Sequence, residues 1–238
     1  MSTEPAGTPA PRGSELLRSV EIVDALRGEG GDAWSAQQTH ESLARYLLEE
    51  TYEVLEAIEQ GDGDPRALVD ELGDLWFQIL FHARLGEEES APWSVDDVAR
   101  AFNEKMERRN PHVFGDDAAS ALAHRDDVDE IVAQWHAVKA AEGAPQGILE
   151  GLPERLPALQ SAAKAVHRAR TRGELEALLA GADEAAPEVV GGDVARALLD
   201  LVVEAESRDE DPESALRTLL GRLAADGGHG GPGASAAH

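Results

Sequence analysis

Apolar residues recur along most of the chain at the three- and four-residue spacing of amphipathic helices, and no segment alternates as a strand would. In the first such segment Leu16, Val20, Val23 and Leu26 follow this spacing after Ser14. The same pattern predicts helices at 14–28, 36–60, 65–89, 94–109, 126–142, 154–179, 189–207 and 212–225. The intervening connections are short enough for a helical bundle, so the sequence predicts an all-α fold.

Several predicted helices begin at residues that commonly cap helix N-termini. Ser35 precedes the helix at 36–60 and has Gln38 three residues on, which is a capping-box spacing. Ser94 stands in the same relation to Asp97, and Pro65 occupies the first position of the helix at 65–89. The capping signal at Ser35 predicts one continuous helix at 36–60 that begins directly after this residue.

Composition divides the chain into two tails, a main domain and a second unit. The tails at 1–13 and 226–238 are rich in Gly, Pro, Ser and Ala, and we expect them to be disordered. The main domain covers 14–142, and 143–225 forms a linker and a second helical unit. The second unit resembles a worn copy of part of the first, because VVGGD at 189–193 aligns with DELGD at 70–74. Two unrelated Leu- and Ala-rich helices remain an alternative explanation of this similarity.

The charge balance excludes some partners. The chain has 21 basic against 47 acidic residues, a formal net charge of −26, which argues against binding to nucleic acid or to anionic membranes. It has no cysteine, which excludes disulfides, thiolate metal sites and a Cys nucleophile. It contains neither a long apolar run nor a signal-peptide pattern, so we expect a cytoplasmic protein.

Two predicted helices carry acidic residues close to their apolar faces. Glu50 lies within the apolar face of the helix at 36–60 and Glu53 follows one turn later; Glu71 and Asp74 repeat this spacing in the next helix. Buried carboxylates repel one another and are costly to desolvate, and a divalent cation offsets both effects. Oxygen ligands suit Mg²⁺ or Mn²⁺, and Mg²⁺ often shares its ligands with substrate phosphates.

Two other interpretations of these acidic residues stay open. Glu50 and Glu53 can instead lie on a solvated helix edge. A di-iron carboxylate site is disfavoured, because such sites use Glu-x-x-His pairs and no histidine of this chain follows a Glu by three residues.

A short basic segment stands out in this acidic chain. Lys105, Arg108 and Arg109 occur within five residues. Such a group can bind phosphate oxygens, Arg as a fork and Lys as a point charge. The alternative is ion pairing with the neighbouring Glu104 and Glu107.

Several motifs resemble the MazG family of nucleoside triphosphate pyrophosphohydrolases. They are Trp34-x-x-x-Gln38-Thr-His40, LLEETYE at 47–53, DELGDLWFQ at 70–78, FHARL at 81–85 and KMERRNPHVFG at 105–115. The resemblance implies an all-α module that forms a homodimer by helix pairing. It also implies Mg²⁺-dependent hydrolysis of (deoxy)nucleoside triphosphates to monophosphate and pyrophosphate, in nucleotide-pool housecleaning, with Mn²⁺ as a possible substitute.

The resemblance also implies roles for individual residues. Glu50, Glu53, Glu71 and Asp74 would bind the metal and serve catalysis. Lys105, Arg108 and Arg109 would hold the phosphates, and Trp135 would contact the base or ribose. The resemblance does not decide the roles of Trp34 and Gln38. They can serve the function, or they can only pack against the core and cap a helix.

Two departures from the family pattern limit what the resemblance implies. Asp-Ala-Trp-Ser stands at 32–35 where the family has Cys-Pro-Trp-Asp, and the second unit has Val190 in place of Glu71 and retains only Asp193. We therefore expect one catalytic domain at 14–142 and a degenerate second unit that packs against it or regulates it.

Two other functions are alternatives to general hydrolysis of nucleoside triphosphates. They are a pyrophosphohydrolase with a narrow preference for dUTP or phosphoribosyl-ATP, and a non-catalytic helical scaffold that senses nucleotides.

Overall fold

The structure, a computed structural model, describes residues 11–60, 65–115, 127–143 and 147–227. Helices dominate these ranges, and no strand occurs within them, which confirms the predicted all-α class. Most of the two predicted tails lies outside the described residues. The helices are α1 (Ser14–Arg27), α2 (Ala33–Gln37), α3 (His40–Gln60), α4 (Pro65–Gly86), α5 (Val95–Arg109), α6 (Pro111–Phe114), α7 (Val128–Ala141), α8 (Ala158–Arg172), α9 (Leu175–Ala185), α10 (Gly192–Ser207) and α11 (Pro212–Gly227).

The prediction of one continuous helix at 36–60 is wrong. Asp32 caps the short helix α2, because its Oδ1 accepts a hydrogen bond from the Ser35 backbone N–H at 2.8 Å. The backbone is extended at Gln38, and α3 begins only at His40. Thr39 marks this second start, since its Oγ1 accepts a 3.2 Å hydrogen bond from the Ser42 N–H. Ser35 is buried in the middle of α2.

Of two other predictions about helix boundaries, the capping box at Ser94 is confirmed and the extent of the helix at 154–179 is wrong. Ser94 and Asp97 form the predicted capping box at the start of α5, with the Ser94 N–H donating to Asp97 Oδ2 at 2.8 Å. The predicted helix at 154–179 is broken instead into α8 and α9. The break falls at Gly173, whose φ of 71° lies in the left-handed region that glycine adopts without steric penalty.

By its internal contacts the chain divides into two compact units, Met1–Lys139 and Ala140–His238. The core of the first unit lies among α1, α3 and α4. It consists of Val23, Leu43, Leu80, Phe81 and Leu85, all almost inaccessible to solvent. Trp76 and Tyr46 pack against its edge, so α3 and α4 form the central pair of this unit.

Arg27, largely buried at the end of α1, fixes the loop that carries α2. Its Nη1 donates to the backbone oxygens of Ser35 at 2.6 Å and Gln38 at 3.2 Å. Its Nε and Nη2 form a two-pronged contact with the Glu88 carboxylate at 2.9 and 2.8 Å. This contact holds the pKa of Glu88 below its ordinary value. One guanidinium therefore ties α1, α2 and the segment after α4 together.

The second unit is built around α8 and α10. Ala165, Val166 and Ala169 of α8 are buried, as is Val202 of α10. Arg168 anchors the preceding segment, since its Nη1 donates to the backbone oxygens of Ile148 and Glu150. None of the helices that the structure describes is long and apolar enough to cross a membrane.

Candidate metal centre

The antiparallel pairing of α3 and α4 brings their acidic residues together. His40 at the start of α3 contacts His82 near the end of α4, whereas Glu53, further along α3, lies beside Glu71 near the start of α4. One carboxylate oxygen each from Glu50, Glu53 and Glu71 lies within 4.8 Å of the other two. We call these three residues the acid cluster. The i, i+3 spacing on α3 turns two of its members toward α4.

Burial and repulsion between carboxylates raise the pKa values of two members of the acid cluster, Glu50 and Glu71. The pKa of Glu50 rises to about 7, first because the side chain is half-buried, then because it hydrogen-bonds Glu53 and faces the charges of Asp74 and Glu53. The pKa of Glu71 is also raised, by desolvation first and then by Glu53 and Asp74. A positive charge placed among these carboxylates would lower their pKa values and relieve the repulsion.

Asp74 lies beside the acid cluster, although it is not one of its three members. It follows Glu71 by one turn of α4 and is exposed. Its charge contributes to the raised pKa values of both Glu50 and Glu71. The structure thus brings together three of the four acidic residues that we predicted as ligands, and it places the fourth within electrostatic reach.

The donor set fits a hard divalent cation. All three members of the acid cluster offer carboxylate oxygens, and Mg²⁺ and Mn²⁺ prefer oxygen ligands. Desolvation and the neighbouring carboxylates raise the pKa values of Glu50 and Glu71, and a cation would stabilise the ionised forms of both side chains. In the part of the chain that the structure describes, this is the one group of three such side chains close enough to share an ion.

The predicted phosphate-binding residues occupy the second half of α5. Lys105 and Arg108 are exposed there, and Arg109 is the half-buried last residue of the helix. The guanidinium carbon of Arg109 lies over the Trp135 ring, 5.2 Å from its centroid. Trp135 belongs to α7 and is half-buried. The structure therefore brings two of the predicted substrate-binding residues into contact with each other.

Sequence reasoning missed a second cation at this ring. The ammonium nitrogen of Lys139 lies 5.0 Å from the centroid of Trp135. Lys139 follows Trp135 by four residues on α7, so the two share one face of that helix. That spacing is visible in the sequence and was the available signal.

The first motif of the family resemblance packs onto the core and caps α3. Trp34, about half exposed, meets Tyr46 and Phe81 edge-on at centroid distances of 6.2 and 6.1 Å. Gln38 donates through Nε2 to the Trp34 backbone oxygen at 2.9 Å and accepts from the Ser42 hydroxyl at 2.7 Å. These contacts account for both residues by packing and hydrogen bonding.

A histidine pair joins the same motif to FHARL. The Nδ1 atoms of His40 and His82 lie 2.7 Å apart, and the rings stack with a centroid distance of 5.0 Å. The pKa of His82 is lowered mainly by desolvation and, to a smaller extent, by the neighbouring His40. Among the described residues, the buried His82 Nε2 has no hydrogen-bond partner. His82 is therefore held in an environment that favours its neutral form.

The fold and the acid cluster define an all-helical protein with a candidate divalent-cation site on an antiparallel helix pair. Residues 38–114 match the family model described as the MazG nucleotide pyrophosphohydrolase domain. The chain is 40% identical over 208 residues to a Streptomyces cacaoi protein named "Uncharacterized 26.1 kDa protein in blaB 3'region", a match that covers 86% of this chain and 78% of that protein. The chain belongs to the MazG family, which confirms the resemblance.

Two further relatives carry a functional name. The nucleoside triphosphate pyrophosphohydrolase of Mycobacterium tuberculosis is 41% identical over 68% of this chain and 47% of its own length. The protein of the same name from Escherichia coli K12 is 38% identical over 67% of this chain and 59% of its own length. The chain thus spans about half the length of the relatives that bear this name.

Proposed function

We propose that this protein hydrolyses (deoxy)nucleoside triphosphates to the monophosphate and pyrophosphate, using Mg²⁺ held at the acid cluster. The observation that carries the proposal is the convergence of Glu50, Glu53 and Glu71 from two antiparallel helices. Membership of the MazG family and the names of the mycobacterial and E. coli relatives support the same reaction. Nucleotide-pool housecleaning is the role that fits this reaction.

The acid cluster, with Asp74 beside it, would hold the cation. Bound Mg²⁺ would neutralise charge on the substrate phosphates, and Mn²⁺ has similar ligand preferences and can replace it. This counter-charge would favour the ionised forms of Glu50 and Glu71, whose pKa values are raised. Metal binding and ionisation of the cluster are therefore coupled.

The reaction needs one proton acceptor and several positive charges from the chain. A water oxygen forms a bond to the α-phosphorus, and the bond from that phosphorus to the α–β bridging oxygen breaks, so that oxygen leaves with pyrophosphate. Glu53 is exposed, and we assign it the role of the general base that accepts a proton from the attacking water. Lys105, Arg108 and Arg109 would contact phosphate oxygens and balance the charge on pyrophosphate. Trp135 would contact the base or ribose.

The decisive assay identifies the products for each nucleotide. Each NTP and dNTP is incubated with Mg²⁺ in ¹⁸O-labelled water. The products are then separated, and mass spectrometry determines their identity and their ¹⁸O content. We expect monophosphate carrying the label, together with unlabelled pyrophosphate. Diphosphate plus inorganic phosphate would refute the reaction. Relative rates distinguish a broad enzyme from a narrow dUTP or phosphoribosyl-ATP pyrophosphohydrolase, and binding without turnover would indicate a nucleotide-sensing scaffold.

Variants of the acid cluster test the residue assignments. Glu53→Gln and Glu71→Gln should each abolish pyrophosphate release while the helical circular dichroism spectrum stays unchanged. Glu104→Gln, an exposed position on α5, removes the same charge outside the cluster and should keep full activity. Full activity in either cluster variant would remove that residue from the mechanism.

We also propose that catalysis resides in one module and that the second unit is a degenerate partner. Among the described residues, the one carboxylate group able to hold an ion lies in the first unit. In the second unit the residue aligned with Glu71 is the fully exposed Val190. Asp193→Asn should therefore leave the hydrolysis rate unchanged, and a large loss of activity would contradict a single catalytic module.

Exposed apolar side chains on the central helix pair support a homodimer. Leu48 on α3 is 58% exposed, and Val69, Leu72 and Ile79 on α4 are 65%, 47% and 37% exposed. Exposed large apolar side chains, where they form a patch, commonly mark an interface between proteins. Sedimentation equilibrium should give a dimer, and Leu72→Asp should dissociate it. A monomer at all concentrations would refute the dimer.

A further inference from the structure

The segment that joins α4 to α5 folds back onto the histidine pair. The indole ring of Trp93 lies nearly parallel to the His40 ring, with a centroid distance of 6.0 Å. The Trp93 backbone N–H donates to the Gly86 backbone oxygen at 3.1 Å. A side-chain carbon added at Gly86 would lie 2.3 Å from the Trp93 ring, so only glycine leaves room for the ring in this position. Trp93 therefore fits closely against the end of α4.

Glu89 connects Trp93 to the histidine pair. Trp93 Nε1 donates to one carboxylate oxygen of Glu89 at 3.2 Å, and His40 Nε2 lies 3.2 Å from the other. The Nδ1 atom of His40 is 2.7 Å from Nδ1 of His82 on α4. The start of α3, the end of α4 and the segment before α5 thus meet in one group of four side chains. We call this group the histidine clasp: His40, His82, Glu89 and Trp93.

The position of α5 depends on where this segment ends. α5 begins at Val95, two residues after Trp93, and Ser94 caps it. Within the described chain no residue of α5 is buried, and Val95 is its one side chain that packs against the core of the first unit. Lys105 and Arg109 lie in the far half of this helix. A displacement at its start therefore moves these cations relative to the acid cluster on α3 and α4.

The contact between the two histidines requires a single shared proton. Two imidazole nitrogens 2.7 Å apart form a hydrogen bond when one carries a proton and the other a lone pair. The Glu89 carboxylate favours a proton on Nε2 of His40, and the two Nδ1 atoms can then share one further proton. When both rings are fully protonated, two N–H groups and two positive charges face each other, and the contact is lost.

The charges around the pair favour one proton over two. Glu89 lies beside His40, and Glu41 of α3 interacts with the His40 charge. Other charged side chains on the surrounding elements form ion pairs with one another. They are Asp24 and Arg27 of α1, Arg84 of α4, and Glu87 and Glu88 directly after α4. Desolvation, and then His40, lowers the pKa of His82, so the pair resists a second proton until the pH lies below about 6.5.

We propose that the histidine clasp positions α5, and with it the phosphate-binding cations, against the helices that carry the acid cluster, and that it opens when both histidines are protonated. This inference rests on the proposed function and adds positioning residues to it. His40 lies ten residues before Glu50, which is about 15 Å along α3. Cation binding at the acid cluster should therefore be insensitive to the clasp, whereas phosphate binding should depend on it.

The first experiment measures amide hydrogen exchange in the full chain. His82→Leu removes the ring, whereas His82→Asn keeps a hydrogen-bonding amide near the position of Nδ1 and does not titrate. His167→Asn, an exposed position in the second unit, is the matched control and should behave as the unmodified protein. At about pH 7.5 the amides of α5 should exchange about tenfold faster in His82→Leu than in the unmodified protein, and those around the acid cluster should be unchanged.

The pH dependence of exchange tests the proton requirement. At about pH 5 the unmodified protein should exchange in α5 as fast as His82→Leu does, while His82→Asn should stay slower than both. Glu89→Ala, at a carboxylate that is 46% exposed, offers a second way to open the clasp and should also speed exchange in α5. Equal exchange in α5 for His82→Leu, Glu89→Ala and the unmodified protein at about pH 7.5 would refute the clasp.

The second experiment separates phosphate binding from cation binding. Titration calorimetry gives the Kd of Mg²⁺ alone and the Kd of pyrophosphate in the presence of Mg²⁺. His82→Leu should weaken pyrophosphate binding about five- to tenfold and leave the Kd of Mg²⁺ within about twofold. His82→Asn should restore most of the pyrophosphate affinity. Equal weakening of both ligands would indicate a general structural role of His82 and would overturn the positioning of α5.

The outcomes separate this inference from the proposed function. Faster exchange of α5 in His82→Leu, in a protein that hydrolyses no nucleotide, would support the clasp and overturn the proposed function. Hydrolysis together with unchanged α5 exchange and unchanged pyrophosphate affinity in His82→Leu would overturn the clasp alone.

Discussion

Replacing Glu50 by Gln tests whether the acid cluster destabilises the protein when no cation is bound. The folded protein raises the pKa of this carboxyl from 4.5 to about 7, because the side chain is half-buried and faces other acids. A raised pKa means that the folded state holds its proton more strongly than the unfolded chain does. The energetic penalty is therefore absent below pH 4.5, grows between pH 4.5 and 7, and is complete above pH 7.

The size of this penalty follows from the same pKa change. A rise from 4.5 to about 7 would correspond to about 3 kcal/mol if it were fully transmitted to the free energy of unfolding. Glu50 is only half-buried, so solvent screening reduces the expected value to about 1–2 kcal/mol. In a chain of this size, that corresponds to a gain of about 2–8 °C in Tm when Gln replaces Glu50.

Tryptophan fluorescence is the appropriate probe, because all four tryptophans lie in the first unit. Thermal unfolding is followed with a chelator present, at about pH 8 and at about pH 4.5. Glu50→Gln should unfold at a higher temperature than the unmodified protein at the higher pH and at the same temperature at the lower pH. Glu104→Gln should leave Tm unchanged at both pH values.

Magnesium supplies the second half of the test. At one hundred times its dissociation constant, Mg²⁺ should stabilise the unmodified protein by about 2.7 kcal/mol and should stabilise Glu50→Gln much less. The reasoning is refuted if Glu50→Gln lowers Tm in chelator at the higher pH. An equal gain from Mg²⁺ in both proteins would likewise contradict it.

Two further predictions concern the framework around the site. Arg27→Gln removes the donor that contacts the backbone oxygens of Ser35 and Gln38 and the carboxylate of Glu88. Denaturant unfolding of the first unit should therefore show a free energy of unfolding that is lower by about 2–4 kcal/mol. A decrease of less than about 0.5 kcal/mol would contradict the role of Arg27. Because burial lowers the pKa of His82 below 6.5, the unfolded chain binds its proton first as the pH falls, and stability should decrease below pH 6.5. His82→Gln should reduce that decrease, and an unchanged pH dependence would rule out His82 as its source.

The acid cluster was predictable because it depends on local spacing and on which residues tolerate burial. Glu50 and Glu53 are one turn apart, as are Glu71 and Asp74, so each pair had to lie on one side of its helix. The short connection at 61–64 then requires the two helices to run antiparallel. Asp74 shows the limit of this reasoning, since helical spacing does not say how far along its partner each carboxylate reaches.

Helix boundaries and distant contacts were less predictable. Asp32, Ser35 and Thr39 are all of residue types that commonly cap helices, so the sequence does not show which of them does so. Nor does it show that Arg27 stabilises the break between α2 and α3 by donating to the backbone oxygens of Ser35 and Gln38. The pairing of His40 with His82 joins residues 42 positions apart and depends on how α3 packs on α4. The contact of Arg109 with Trp135 likewise requires α5 and α7 to meet.

The most direct test of the central claim is to locate the cation itself. Crystals grown with Mn²⁺ should show an anomalous difference peak bound by the carboxylates of Glu50, Glu53 and Glu71, at about 2.0–2.3 Å from their oxygens. Side chains turned into solvent with no peak between them, or a peak held by other residues of the chain, would contradict the account.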